Sequence, residues 1–175
     1  MVMDREPHMA ECESGQTADT LADMRQRVQG ANINEISLLA TDYLNRFNEF
    51  VMVLGIIPDM PECLDDVREW RPKSYVQHFA DSGLPEADLA IAAYELSPEV
   101  FRLPLDKTVD DLNRLVPSSL ERIASSIESG NQDGLADVAS RASRDMQCLI
   151  EAASAIINGV TSTNDQTAID NMFEC

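Results

Sequence analysis

Apolar side chains recur at spacings of three and four along most of this chain, beginning near Asn32. Ile36, Ala40, Tyr43, Phe47, Val51 and Leu54 share one stripe of a 3.6-residue period. That spacing predicts a long helix from about Asn34 to Leu54, stopped by Gly55 and Pro58. Its last turns, Phe50-Val-Met-Val-Leu, are apolar on every side. This end is therefore expected to be buried on several faces or to cover a partner subunit.

Shorter elements follow, each opened by a proline at a position where a missing N–H is tolerated. Residues Pro61 to Trp70 offer Leu64 and Val67, and Pro72 to Ala80 offer Tyr75 and Phe79 before a Ser82-Gly83 stop. Pro85 to Leu96 offer Leu89, Ala92 and Ala93. A fifth piece is expected near Ser97-Pro98, with the serine as cap. Thr108 to Ser129 carries Leu112, Leu115, Val116, Leu120, Ile123 and Ile127, and Pro117 is expected to kink or split this helix. Leu135 to Asn158 carries Val138, Ala142, Met146, Leu149, Ile150, Ala153 and Ile157 on one face. Two such helices joined by a short loop read as an antiparallel hairpin.

No alternating β-branched run and no internal repeat appears, so the predicted fold is all-α, a helical bundle flanked by flexible tails. Residues 1–31 are polar and read as a flexible segment, although Asp19 to Val28 could form a short helix. Residues 32–159 make the helical domain, and 160–175 a polar linker and terminal peptide.

Charge and composition narrow the function. Among 175 residues, 31 acids face 13 basic side chains, a formal charge of -18. A general nucleic-acid binder is excluded, because phosphates demand a concentrated basic surface. Docking on anionic lipid by charge is disfavoured for the same reason. An apolar share of 44% is enough to fill a core. Cys12, Cys63, Cys148 and Cys175 have no paired spacing, which argues against a zinc site, and a chain that can bury a core of this size does not call for a disulfide framework. The first residues lack the basic and apolar regions of a signal peptide, and Phe50 to Ile57 is too short to span a membrane. A cytoplasmic location is expected.

The terminal peptide carries the most specific signal. If helical, Ile169, Met172 and Phe173 fall at i, i+3 and i+4, with Asp165, Asp170 and Glu174 around them. One small apolar face beyond a linker cannot hold a helix alone, but it can fold into a partner's groove. The string Asp165-Gln166-Thr-Ala-Ile169-Asp170-Asn-Met172-Phe173 resembles the Ser-Gln-x-x-Ile-Asp-x-Leu-Leu/Phe peptides that bind the chemotaxis response regulator CheY. Such peptides occur at the start of the flagellar motor switch protein and, in related form, at the end of the phosphatase CheZ. Here Asp165 replaces the usual serine and Met172 a leucine. The resemblance implies a CheY-like receiver domain as partner.

CheZ also has a helical hairpin before its linker and peptide, with an acid and a glutamine on the second helix. The string from Arg144 to Ala152 is faintly similar, but Cys148 and Ala152 stand where that acid and glutamine would be. In that register the chemistry is absent, although Gln147 lies beside it. A second acid/amide set, Asp42, Asn45 and Glu49, shares a stripe opposite the apolar face of the first long helix. It could orient water on an aspartyl phosphate, but it also reads as a solvated face.

Three basic residues, Arg68, Arg71 and Lys73, surround the only tryptophan, Trp70. With Pro72 expected to open a helix, they make a candidate anion or interface site; the plainer expectation has Trp70 capping the core and the cations paired with Asp65, Asp66 and Glu69. His78 with Glu49 and Glu95 is the histidine–carboxylate set for a metal or general base, yet nothing in their spacing brings them together. No metal and no cofactor is expected. The sequence thus reads as a helical adaptor or regulator that contacts a receiver, its body forming a homo-oligomer or binding a second partner. A CheZ-like receiver phosphatase and a helical ligand- or metal-binding enzyme are the alternatives.

Overall fold

The computed structural model describes residues 20–160, and among them there is no strand. Residues 20–27 form α1. It is followed by α2 (Asn45–Ile56), α3 (Leu64–Arg68), α4 (Tyr75–Ser82) and α5 (Ala87–Glu95). The two long helices are α6 (Glu99–Glu128) and α7 (Gln132–Ile157). Single 3-10 turns, Thr41–Leu44 and Pro61–Cys63, lead into α2 and α3. The chain is all-α, as its periodicities require.

The α6/α7 hairpin is the main scaffold; α2 lies against α7, and α4 packs on α5. Leu105, Leu112, Val116 and Ile123 from α6 meet Leu135, Ala142, Met146, Ala153 and Ile157 from α7 in one continuous core. At the turn, the Asn131 side chain accepts from the Gly134 amide at 2.9 Å, capping α7. A Cβ on Gly134 would lie 2.2 Å from that side chain, so glycine makes the cap sterically feasible.

The expected long helix from Asn34 is shorter and begins later. Asn34 Oδ1 accepts the amides of Ile36 and Ser37 at 2.9 and 3.1 Å, an Asx turn that competes with helix formation. Leu38 then takes φ 60°, which no α-helix can accommodate, although it is fully buried. Ile36 leaves the predicted stripe and is exposed. Of the two expectations for the end of this helix, burial on several sides within the chain is only half met: Phe50 and Leu54 are buried, but Met52, Ile56 and Met60 face solvent.

Around the prolines, Pro117 does not split its helix. The piece opening at Ser97-Pro98 and the following helix are one continuous α6, with Pro104 and Pro117 inside it. An interior proline costs about 3 kcal/mol. Leu112, Val116 and Ile123, on both sides of Pro117, are fully buried, and each contributes about 1.5–3 kcal/mol. Packing on α7 therefore decides. Ser97 does not cap α6; Pro98 is the N-cap, while Ser97 is buried and turned inward. Pro72 does not open α4, which starts at Tyr75 behind a Ser74–Gln77 capping box.

Two further expectations change. The short helix allowed over Asp19 to Val28 forms as α1, but it is no part of a flexible segment: Met24 and Val28 are buried in the common core. Their i, i+4 spacing supplies a short apolar stripe that only a neighbouring surface makes stable. Cys148 is disulfide-bonded, whereas Cys63 is a free, half-buried thiol. Separation along the sequence does not limit disulfide pairing, which depends on distance in space. No helix among the described residues is long and apolar enough to cross a membrane.

Candidate functional site

The chain concentrates its polar chemistry where the 3-10 turn before α2 meets the start of α4 and the end of α5. Tyr43 lies on the buried stripe, and its hydroxyl donates to the Lys73 carbonyl at 2.7 Å. Arg46, one turn later, donates to the carbonyls of Lys73 (3.2 Å) and Arg71. Its guanidinium lies 4.5 Å over the Trp70 ring and 5.3 Å from that of Phe47. Two side chains of one helical turn thus clamp the loop between α3 and α4. Trp70 is half-buried against Phe47.

A ring of aromatics continues from this clamp. Tyr43 touches Tyr75 (5.2 Å) and, edge-on, His78 (5.3 Å), while Tyr75 stacks on Tyr94 at 4.6 Å. The Ala40 amide donates to the Tyr75 hydroxyl at 2.8 Å, and the Tyr94 hydroxyl donates to Asp106 Oδ1 at 2.8 Å. Burial pushes Tyr43 up to about 12 and holds Tyr75 and Tyr94 above the usual phenol range, so all three stay protonated near neutrality. Burial, reinforced by Arg46 and Lys73, lowers His78 and keeps its imidazole neutral. Burial also raises the Asp106 carboxyl, against the opposing pull of Tyr94 and Arg102.

Beside the ring opens a cleft of about 320 Å³. It is lined by Tyr43, Tyr75 and Tyr94, by Lys73, Ser74 and Gln77, and by Asp106, Asp110 and Asn113 of α6. Buried Asn113 Oδ1 has no hydrogen-bond partner within the protein. Pro117 has no N–H to give the Asn113 carbonyl, the bond an ordinary residue would make there. The cleft is thus lined by carboxylates, amides, hydroxyls and one lysine over an apolar floor of Leu105 and Val109.

The residues singled out in the sequence are placed as follows. Asp42 accepts from Asn32 Nδ2 at 2.7 Å and from Asn45 Nδ2 at 3.4 Å, so acid and amide do meet, while Glu49 is exposed one turn further on. Gln147 is exposed on α7, far along the chain from that pair. Arg68 pairs with Asp65 at 3.1 Å, Lys73 with Asp81 at 2.8 Å, and Arg71 donates to the carbonyls of Arg68 and Trp70. Each cation is thus engaged separately, and the Gln77 amide in the first turn of α4 is served by the Ser74 hydroxyl. Among the described residues, no group of three or more histidine, cysteine or carboxylate side chains could hold a metal, His78, Glu49 and Glu95 included. Asp165, Gln166, Ile169, Asp170, Met172 and Phe173 lie outside the described residues.

The sequence reading missed the cleft itself. Tyr43 was visible only as one more residue on an apolar stripe. Asp106, Asp110 and Asn113 fall at i, i+4 and i+7, directly beside the buried Leu105, Val109 and Leu112. That polar stripe at the margin of an apolar one is the signal that was available. No family model, curated protein or solved structure matches this chain.

Proposed function

We propose that this chain is a helical adaptor or regulator in chemotaxis or two-component signalling, docking a CheY-like receiver through its terminal peptide. The observation that carries the reading is the string Asp165-Gln166-Thr-Ala-Ile169-Asp170-Asn-Met172-Phe173, with its three apolar residues on one helical face. The end of α7 supports it: the Ile157 carbonyl is held by Ser37, and Val160, the last described residue, is exposed. A peptide tethered at a defined point gains effective concentration for a partner held by the body. The net charge of -18 suits a basic partner surface and disfavours nucleic acid. A cytoplasmic location belongs to the same reading, and a second copy of the chain is the other partner it allows.

The test titrates a CheY-like receiver, with and without an acyl-phosphate mimic, with the full chain and with a chain ending at Val160. Binding by the full chain alone, weakened about tenfold or more by Phe173→Ala, supports the reading. Equal binding by both chains, or by neither, overturns it.

A receiver phosphatase is the second reading, favoured by the 3.4 Å approach of the Asn45 amide to Asp42 on an accessible face. It requires faster phosphate release from the receiver and loss of that effect in Asn45→Ala. Unchanged release in Asn45→Ala and Gln147→Ala leaves the adaptor alone.

A further inference from the structure

We infer that the terminal peptide docks on this chain's own body, laying Ile169, Met172 and Phe173 over the apolar end of the bundle where Ile36, Val100, Leu103 and Val160 are exposed. Three elements are knotted together at this end. Ser97, just ahead of α6, donates to the Ser37 carbonyl at 2.7 Å, and Ser37 donates to the Ile157 carbonyl at the end of α7. Ile36 precedes Ser37, and Val100 follows Ser97 by three residues. Gly159 sits against Ile36, since a Cβ added to it would lie 3.4 Å from that side chain. Val100 and Leu103, at i and i+3, look outward from α6 while Phe101 and Leu105 point into the core. All four apolar side chains are between 51% and 57% exposed, a concentration beyond the scattered single exposures of an ordinary surface.

The occupant follows from where the described chain stops. Val160 is its last residue, and fifteen more follow, among them the only apolar triad of the terminus. Residues 161–168 separate Val160 from Ile169, so Ile169 lies at most about 30 Å from Val160. A tether of that length holds the peptide at an effective concentration on the order of millimolar around its anchor. The other exposed apolar face, centred on Ile56 between Met52 and Met60, lies beyond that reach. Ile56 and Met60 flank Pro58, whose carbonyl accepts from Gln132 at the start of α7. From there to Val160 is about 40 Å of helix. The peptide cannot hold a helix by itself, and an apolar surface within reach supplies what it lacks. Asp165, Asp170 and Glu174 would stay at the edge toward water, and Glu99 beside Val100 is engaged by Arg102 at 3.6 Å. The contact needs no receiver. Its regulatory consequence alone rests on the receiver reading: the same three side chains would be withheld until a receiver displaced them from α6.

The experiment records methyl and aromatic NMR spectra of the full-length protein, with reductant and with no receiver present, so its outcome is separate from that of the receiver titration. Nuclear Overhauser contacts from the Phe173 ring to the methyls of Val100, Leu103 or Val160 are expected. Phe173→Ala and Ile169→Asp should shift those methyls and leave those of Met52 and Ile56 in place. Leu103→Asp, at an exposed position, should move the Ile169 methyls to where they resonate in an isolated peptide of residues 161–175. Absence of every such contact overturns the inference, as does movement of Met52 and Ile56 instead, or an Ile169 signal unmoved by Leu103→Asp. So do contacts seen only between labelled and unlabelled copies in a mixed sample, which would put the peptide on a second molecule.

Discussion

Ser97 donates its hydroxyl to the carbonyl of Ser37 at 2.7 Å, joining residues 60 positions apart in the buried interior. Ser37 in turn donates to the Ile157 carbonyl and accepts from the Leu39 amide at 3.3 Å. One small side chain therefore ties the loop before α2 to the end of α7, while its backbone receives the start of α6. The loop gains fixed geometry although it has no regular hydrogen-bonding ladder of its own.

Ser37→Ala should leave the Ile157 carbonyl and the Leu39 amide without their partner in a dry environment. The expected loss is about 1–3 kcal/mol, read as a lower urea midpoint at unchanged slope. A variant as stable as the parent would show that the tie contributes nothing.

Leu38 is fully buried at φ 60°, so its side chain and its backbone pull in opposite directions. Leu38→Ala should cost about 2–5 kcal/mol by emptying the site. Leu38→Gly removes the same packing but relieves a left-handed conformation worth about 1–2 kcal/mol. The glycine variant should therefore be the more stable of the two, reversing the usual order. Thermal unfolding of the pair checks the sign directly.

His78 gives the fold an acid-sensitive point. Its pKa lies below the ordinary 6.5 because burial and the nearby Arg46 and Lys73 oppose a second positive charge. For a depressed value, the stability gained is fully present above 6.5 and is lost as pH falls through the folded-state value. Melting temperature should drop more steeply below that pH in the parent than in His78→Gln. Parallel profiles would remove His78 from the account.

Arg46 holds the loop of residues 71–73 by two carbonyls and covers Trp70 with its guanidinium. Arg46→Met should cost about 2–4 kcal/mol, from charge-assisted hydrogen bonds and the cation–π contact together. Arg46→Lys should recover little, since an ammonium cannot span two carbonyls and lie flat on the indole. A red shift of Trp70 fluorescence in both variants, with retained helical circular dichroism, is the expected signature.

Much of the helical body was legible from spacing. The buried faces of α6 and α7 follow the stripes Leu112–Val116–Ile123 and Ala142–Met146–Ala153. The shifts at Asn34 and Pro117 have a common cause: local rules compete with one another and with packing. At Asn34 an Asx turn beats a helical stripe, and at Pro117 buried neighbours beat a missing N–H. The clamp at Arg46 was hidden because its partners are backbone carbonyls more than twenty residues away, to which side-chain patterns are blind.

By itself, the sequence determined that this protein is helical and acidic and where its main apolar faces lie. Hydrophobic periodicity and charge are properties of near neighbours, so they survive without knowledge of the fold. Only the tertiary structure brought Tyr43, Tyr94, Asp106 and Asn113 to one cleft, and only it joined Ser37 to Ser97 and Ile157. Those groups come from different elements, and their meeting depends on how α2, α4, α5 and α6 settle around α7. That arrangement is fixed by the summed burial of the whole core rather than by any one stretch of chain.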